Sequence, residues 1–153
     1  MPENSTKPAI LFVCSKNGGK SQLAAALLQQ LAGDTMTVLS AGTTPGTALN
    51  AETVESLAEL GIDISHEHPK PVTEAAIDAV DTVVILGTEA KLAPREGKHF
   101  EVWETDEPSR RGIHGMERMR LVRDDIRARV GALYAALSQE HGAPSAEPAD
   151  APG

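Results

Sequence analysis

The chain reads as a single α/β domain built on a four-stranded parallel sheet flanked by helices, and three observations predict it. Residues 9–13 and 82–86 are continuous apolar runs without polar alternation, as expected of strands buried on both faces. Segments with apolar residues at helical spacing alternate with these runs, which implies right-handed crossovers around a parallel sheet. At 153 residues, 41% of them hydrophobic, the chain can bury a core without a disulfide or metal staple. Aromatics are only 3%, so that core is aliphatic and alanine-rich.

Residues 9–13 (Ala-Ile-Leu-Phe-Val) form the first strand, bounded by Pro8 and a glycine-rich loop. From Ser21, the spacing of Leu23, Leu27, Leu28 and Leu31 predicts a helix that Gly33 stops. Residues 35–40 are β-branched enough for a second strand, and the Gly and Pro content of 41–46 marks a loop. Residues 51–60 predict a second helix with Asn50 as N-cap and Gly61 as stop. A short helix over 73–79, capped by Thr73, leads into the strand 82–86, and 100–103 fits one more short strand. Met119, Val122, Ile126, Val130, Leu133 and Leu137 step by three or four, which predicts a long helix over about 115–137. Residues 1–8 are expected to be a flexible N-terminus, 9–140 the catalytic domain, and the Pro- and Ala-rich 141–153 a disordered tail.

The formal charge of −8 argues against a general nucleic-acid binder. No run approaches the roughly 20 apolar residues that span a bilayer, and residues 1–8 lack the apolar centre of a signal peptide. A cytoplasmic protein is the expectation. Cys14 is the only cysteine, which excludes an internal disulfide and fits a reducing compartment. Any redox cycle must therefore take a second thiol from outside the chain. His66-Glu67-His68 is a single His-x-His without further ligands, too few for a zinc site, so no metal is expected. The arginines between Arg110 and Arg129 fit a solvated face paired with Asp124 and Asp125.

Cys14 opens the stretch Cys14-Ser15-Lys16-Asn17-Gly18-Gly19-Lys20-Ser21 between the first strand and the first helix. Ligands of open parallel sheets sit at this kind of place. Amide groups of a glycine-containing loop and the positive end of a helix bind oxyanions, and the same surroundings make a thiol reactive. Three readings compete: a buried structural cysteine, a nucleotide P-loop ending in Gly19-Lys20-Ser21, and a nucleophile acting on an oxyanion. The P-loop pattern lacks its first glycine, whose place Cys14 takes, and the strand 82–86 runs into Gly87-Thr88-Glu89 without an immediate aspartate for magnesium.

A cysteine followed after five residues by a cation and then Ser resembles the Cys-x5-Arg-Ser/Thr loop of low-molecular-weight protein tyrosine phosphatases and their arsenate reductase relatives. The resemblance implies their flavodoxin-like three-layer fold. Lys20 stands where that pattern has Arg, and lysine cannot make the bidentate fork that grips two oxygens of a phosphoryl group. Phosphatase activity is accordingly expected to be weak. The longer stretch Val13 to Ala24, with Asn17-Gly18-Gly19-Lys20-Ser21-Gln22, is similar to that of actinobacterial arsenate-mycothiol transferases. Matching segments follow at 40–46, 58–65 and 123–127.

That similarity implies that arsenate binds to Ser15, Lys16, Asn17, Gly18, Gly19, Lys20 and Ser21 and that Cys14 attacks arsenic. It further implies that mycothiol, as co-substrate, takes over the arsenic and that a mycoredoxin completes reduction to arsenite, a detoxification of arsenic. A low-molecular-weight phosphatase and a non-catalytic oxyanion-binding protein are the alternatives. The family places a general acid before a proline. Here Glu107 directly precedes Pro108 where the pattern has Asp, and Asp106 lies one position earlier. Asp106 is the favoured acid, with Glu107 close behind. Asn17 is expected to brace the loop, and Ser21 to cap the helix, stabilise the thiolate, or do both.

Overall fold

The computed structural model describes residues 7–140, so the expectations for the N-terminus and the tail fall outside the described residues, apart from Lys7 and Pro8. Four strands, β1 (Ala9–Cys14), β2 (Thr37–Gly42), β3 (Thr82–Leu86) and β4 (His99–Trp103), form one parallel sheet in the order β2-β1-β3-β4. The chain leaves β1 for one neighbour and later returns to its other side. The carboxyl end of β1 is therefore the switch point of the sheet, where Cys14 ends the strand.

Alternate residues of β1 feed two cores. Ile10 and Phe12 join Leu23, Leu27 and Leu28 of α1 (Lys20–Ala32), Leu57 of α2 (Ala51–Ala58) and the apolar stripe of α4 (Gly115–Glu140). Leu11 and Val13 face the opposite layer, with Val83, Ile85, Val80 and Ile77 of the short α3 (Glu74–Asp78). Every residue of the predicted stripe from Met119 to Leu137 is buried. Asn50 caps α2 by accepting from the Thr53 N–H at 2.9 Å, and Thr73 caps α3 through the Ala76 N–H at 3.0 Å.

Several boundaries differ from the sequence reading, and those of the second strand and second helix have a physical reason. The second strand starts at Thr37, because a 3-10 turn occupies Gly33–Thr35, and it runs through Ala41 and Gly42, which the glycine and proline content had placed in a loop. The extension is fixed non-locally: Gly42 pairs with Cys14, donates to the Lys70 carbonyl and accepts from the Val72 N–H. The second helix ends at Ala58, two residues early, where Gly61 at φ +81° lets the chain turn out of the helix. No described helix is long and apolar enough to cross a membrane.

Candidate active site

The loop from Cys14 to Lys20 turns its carbonyls away from its own centre. The carbonyls of Cys14, Ser15, Lys16 and Gly18 accept from the N–H groups of Thr43, Thr44, Gly46 and Asn50 at 3.1, 2.8, 3.0 and 2.8 Å. In a trans peptide the next N–H points the opposite way, so the amides of Ser15, Lys16, Asn17 and Gly19 face the concave side. The Asn17 N–H donates to Cys14 Sγ at 3.2 Å, as this orientation requires. The Gly19 carbonyl accepts from Leu23 at 2.9 Å, which aims the Lys20 N–H out of the start of α1. The result is a ring of donors around a thiol, a cradle suited to an oxyanion.

Close contacts explain why the loop carries small residues. A Cβ on Gly18 would stand 3.0 Å from the Ala48 carbonyl, and one on Gly42 would stand 2.7 Å from the Ser15 carbonyl. Asn17, fully buried, holds a left-handed φ of +56°, a conformation asparagine tolerates better than most residues. Its Oδ1 accepts from the Lys70 N–H at 3.0 Å and from Gln22 Nε2 at 3.2 Å. That fixes the amide, so Nδ2 donates to Ser21 Oγ at 2.7 Å. Ser21 Oγ lies 2.9 Å from Cys14 Sγ and can spend its own proton there. Ser21 does not cap α1: the cap position is Gly19, with no side-chain cap bond, and the helix begins at Lys20. Of the two roles expected for Ser21, the contact with the thiol is the one the geometry supports.

Cys14, Ser15, Lys16, Gly19 and Lys20 line a cleft of about 680 Å³ whose far wall is formed by Gly87–Glu89, Glu104, Thr105, Glu107, Ser109, Arg110 and Arg118. Asn17 and Ser21 lie beneath it as buried supports. Glu107 is on the cleft. Arg118 holds its carboxylate in a fork, Nε to Oε2 at 2.7 Å and Nη2 to Oε1 at 3.0 Å, and Ser109 Oγ donates to Oε2 at 2.6 Å. Lys20 Nζ lies 3.8 Å from Oε1. The Arg118 hydrogen bonds outweigh the cost of partial burial and lower the Glu107 pKa from 4.5 to about 2. Asp106 is not among the cleft-lining residues; Arg111 grips it at 2.7 and 3.2 Å and lowers its pKa below the ordinary carboxylate value. Both carboxylates are thus ionised at neutral pH.

The sequence reading missed Lys70, Gln22 and Arg118. Gln22 lay within the quoted loop motif, but Lys70 and Arg118 reach the site from 53 and 11 residues away from their partners, and no local pattern announces them. Thr105 Oγ1, buried and without a hydrogen-bond partner among the described residues, also belongs to a cleft-lining residue. The described residues contain no group of three or more His, Cys, Asp or Glu arranged to hold a metal ion. Three other arginines of the segment from Arg110 to Arg129 are paired: Arg123 with Asp124 and Glu59, Arg120 with Glu59, and Arg129 with Asp125.

A model of the family described as low molecular weight phosphotyrosine protein phosphatase matches residues 9–143. Arsenate reductase 1 of Staphylococcus epidermidis is 33% identical over 128 residues, covering 81% of this chain and 93% of its own. The glutaredoxin arsenate reductase of a Synechocystis species is 29% identical over 132 residues, covering 84% of this chain and 98% of its own. Among solved structures, the Corynebacterium glutamicum thioredoxin-dependent arsenate reductase superposes with a TM-score of 0.72 at 32% identity. That match covers 87% of this chain and spans 62% of the Corynebacterium chain.

Proposed function

The chain belongs to the low molecular weight phosphotyrosine protein phosphatase family, and from that membership we propose that it is an arsenate reductase working by thiol transfer. One observation carries the reading: the sole thiol sits on the floor of the cradle, 2.9 Å from Ser21 Oγ and 3.2 Å from the Asn17 amide, with no second cysteine in the chain to resolve it. The arsenate reductase relatives support the substrate. Their names point to different donors, glutaredoxin in one and thioredoxin in another, so the donor is a property of each member rather than of the fold.

The Cys14 thiol and monoanionic arsenate give the enzyme-bound S–As adduct and water. Ser15, Lys16, Asn17, Gly18, Gly19 and Lys20 hold the oxyanion through loop amides and the Lys20 ammonium, and Ser21 steadies the sulfur as a thiolate. The oxygen that departs from arsenic leaves as water, so the proton given up by the thiol balances the step. A low-molecular-weight thiol then displaces Cys14 from arsenic, with no change in oxidation state, and the resemblance of the loop points to mycothiol. A mycoredoxin thiol finally attacks the sulfur of that adduct: a mixed disulfide forms, arsenic gains two electrons, and arsenite leaves.

The test is thiol consumption in the presence of arsenate, mycothiol and mycoredoxin, run beside hydrolysis of an aryl phosphate. The expected result is arsenate-dependent consumption, abolished in Cys14→Ser, with aryl phosphate turnover slower by at least about a hundredfold, the order of one lost preorganised donor. Robust aryl phosphate turnover without arsenate-dependent thiol consumption would sink the proposal.

A further inference from the structure

Lys20 and Glu107 are the two positions at which the chain departs from the Cys-x5-Arg and Asp-Pro patterns, and they meet in space at 3.8 Å. The two departures fit each other. A lysine at the loop carries a compact charge on a four-carbon stem and lacks the planar fork that locks arginine against an oxyanion, so it must be placed by something else. Gly87 adjoins it: a Cβ there would stand at an ordinary contact distance of 4.0 Å from Lys20 Nζ, and the residue is glycine because its φ is +90°. Beside it, Glu107 reaches one methylene further than aspartate would.

A bare lysine–glutamate pair would defeat the loop, since the glutamate would cancel the charge an incoming oxyanion needs. Arg118 removes that conflict. Its fork engages both Glu107 oxygens, while Ser109 occupies a further lone pair on Oε2. Lys20, Glu107 and Arg118 together carry one positive charge, and because the Arg118 fork is spent on Glu107 the charge of Lys20 stays uncancelled at the cleft that both cations line. With both its oxygens engaged, Glu107 presents no proton to the substrate.

Building on the oxyanion-binding reading of the loop, we propose that Glu107 and Arg118 are positioning residues for Lys20. Glu107 tethers the ammonium over the cradle, and Arg118 compensates Glu107 so that the charge of Lys20 stays available. Neither is a proton donor.

The experiment is binding of inorganic phosphate to the full chain by calorimetry, which needs no turnover, combined with arsenate-dependent thiol consumption. Arg118→Met frees Glu107 to neutralise Lys20 and is expected to weaken phosphate binding about tenfold, the scale of one compensated charge. Adding Glu107→Gln to that variant is expected to restore phosphate affinity to within about twofold of the parent, because the uncompensated charge is gone. Arg118→Lys, which keeps the charge, stays within about threefold and guards against a folding defect in the methionine variant. Glu107→Gln alone is expected to keep phosphate affinity while kcat falls about fivefold, less than the hundredfold or more that loss of a general acid produces. The proposal is overturned if Arg118→Met binds phosphate as tightly as the parent, if the double variant fails to recover, or if Glu107→Gln loses more than about a hundredfold in kcat. Absence of arsenate-dependent thiol consumption in the parent chain would remove arsenate as the substrate and leave these phosphate affinities to judge the Lys20 arrangement separately.

Discussion

Ser21 stands one position into α1, yet its hydroxyl serves the thiol rather than the helix end. Its orientation is set by Asn17, whose amide is in turn fixed by Lys70 and Gln22, so a residue 53 positions downstream determines which way a proton points at Cys14. Ser21→Ala removes the hydrogen-bond contact of Oγ with Cys14 Sγ, which under the proposed thiolate mechanism is worth about 1.5–3 kcal/mol. The expected outcome is a drop of about ten- to a hundredfold in arsenate turnover, with the denaturation midpoint little changed; equal loss of both would assign Ser21 a structural role only. The contiguous loop, Cys14 to Ser21, was legible in the sequence because the thiol, glycines and cations lie within eight consecutive residues. Lys70 and Arg118 were not, because their contribution exists only once distant segments have docked.

At the scale of elements, the sheet and its covering helices follow from periodicity, and the errors fall where tertiary pairing overrides it. Gly42 reads as a loop residue, but pairing with Cys14 and contact with the segment at Lys70 draw it into β2. The glycine is needed there for space. Gly42→Ala would force its methyl against the Ser15 carbonyl at 2.7 Å, so the expected outcome is a displaced cradle, seen as at least about tenfold weaker phosphate binding with most of the stability retained. In α4, Ile126 is fully buried against the sheet-facing core. Ile126→Ala is expected to lower unfolding stability by about 2–5 kcal/mol in urea titration, through lost transfer energy and the cavity left behind.

For the molecule as a whole, the ion pairs that join α4 to the rest give stability a definite pH dependence. Arg120 and Arg123 hydrogen-bond Glu59 at the end of α2 and lower its pKa from 4.5 to about 2, and Arg118 does the same for Glu107. A carboxylate with a depressed folded-state pKa binds fewer protons folded than unfolded, so its contribution is present above the ordinary value of 4.5 and fades as pH falls toward about 2. Thermal unfolding is expected to show Tm falling through this window, with a shallower fall in Glu59→Gln. Glu59 is well solvated, which keeps its share small. An unchanged pH slope in that variant would remove Glu59 from the account. Net charge was readable from composition, but which acids are paired was not, since pairing depends on how α2 and α4 face each other.

The outward-facing carbonyls of the Cys14 loop have a consequence in time. Their donors are Thr43, Thr44, Gly46 and Asn50, about thirty residues along the chain, and Asn17 waits for Lys70. The ring of amides around Cys14 is therefore complete only once β2 and the stretch to Lys70 have docked. A pulse of alkylating reagent during refolding is expected to mark Cys14 with a rate that changes in step with docking of the Lys70 segment.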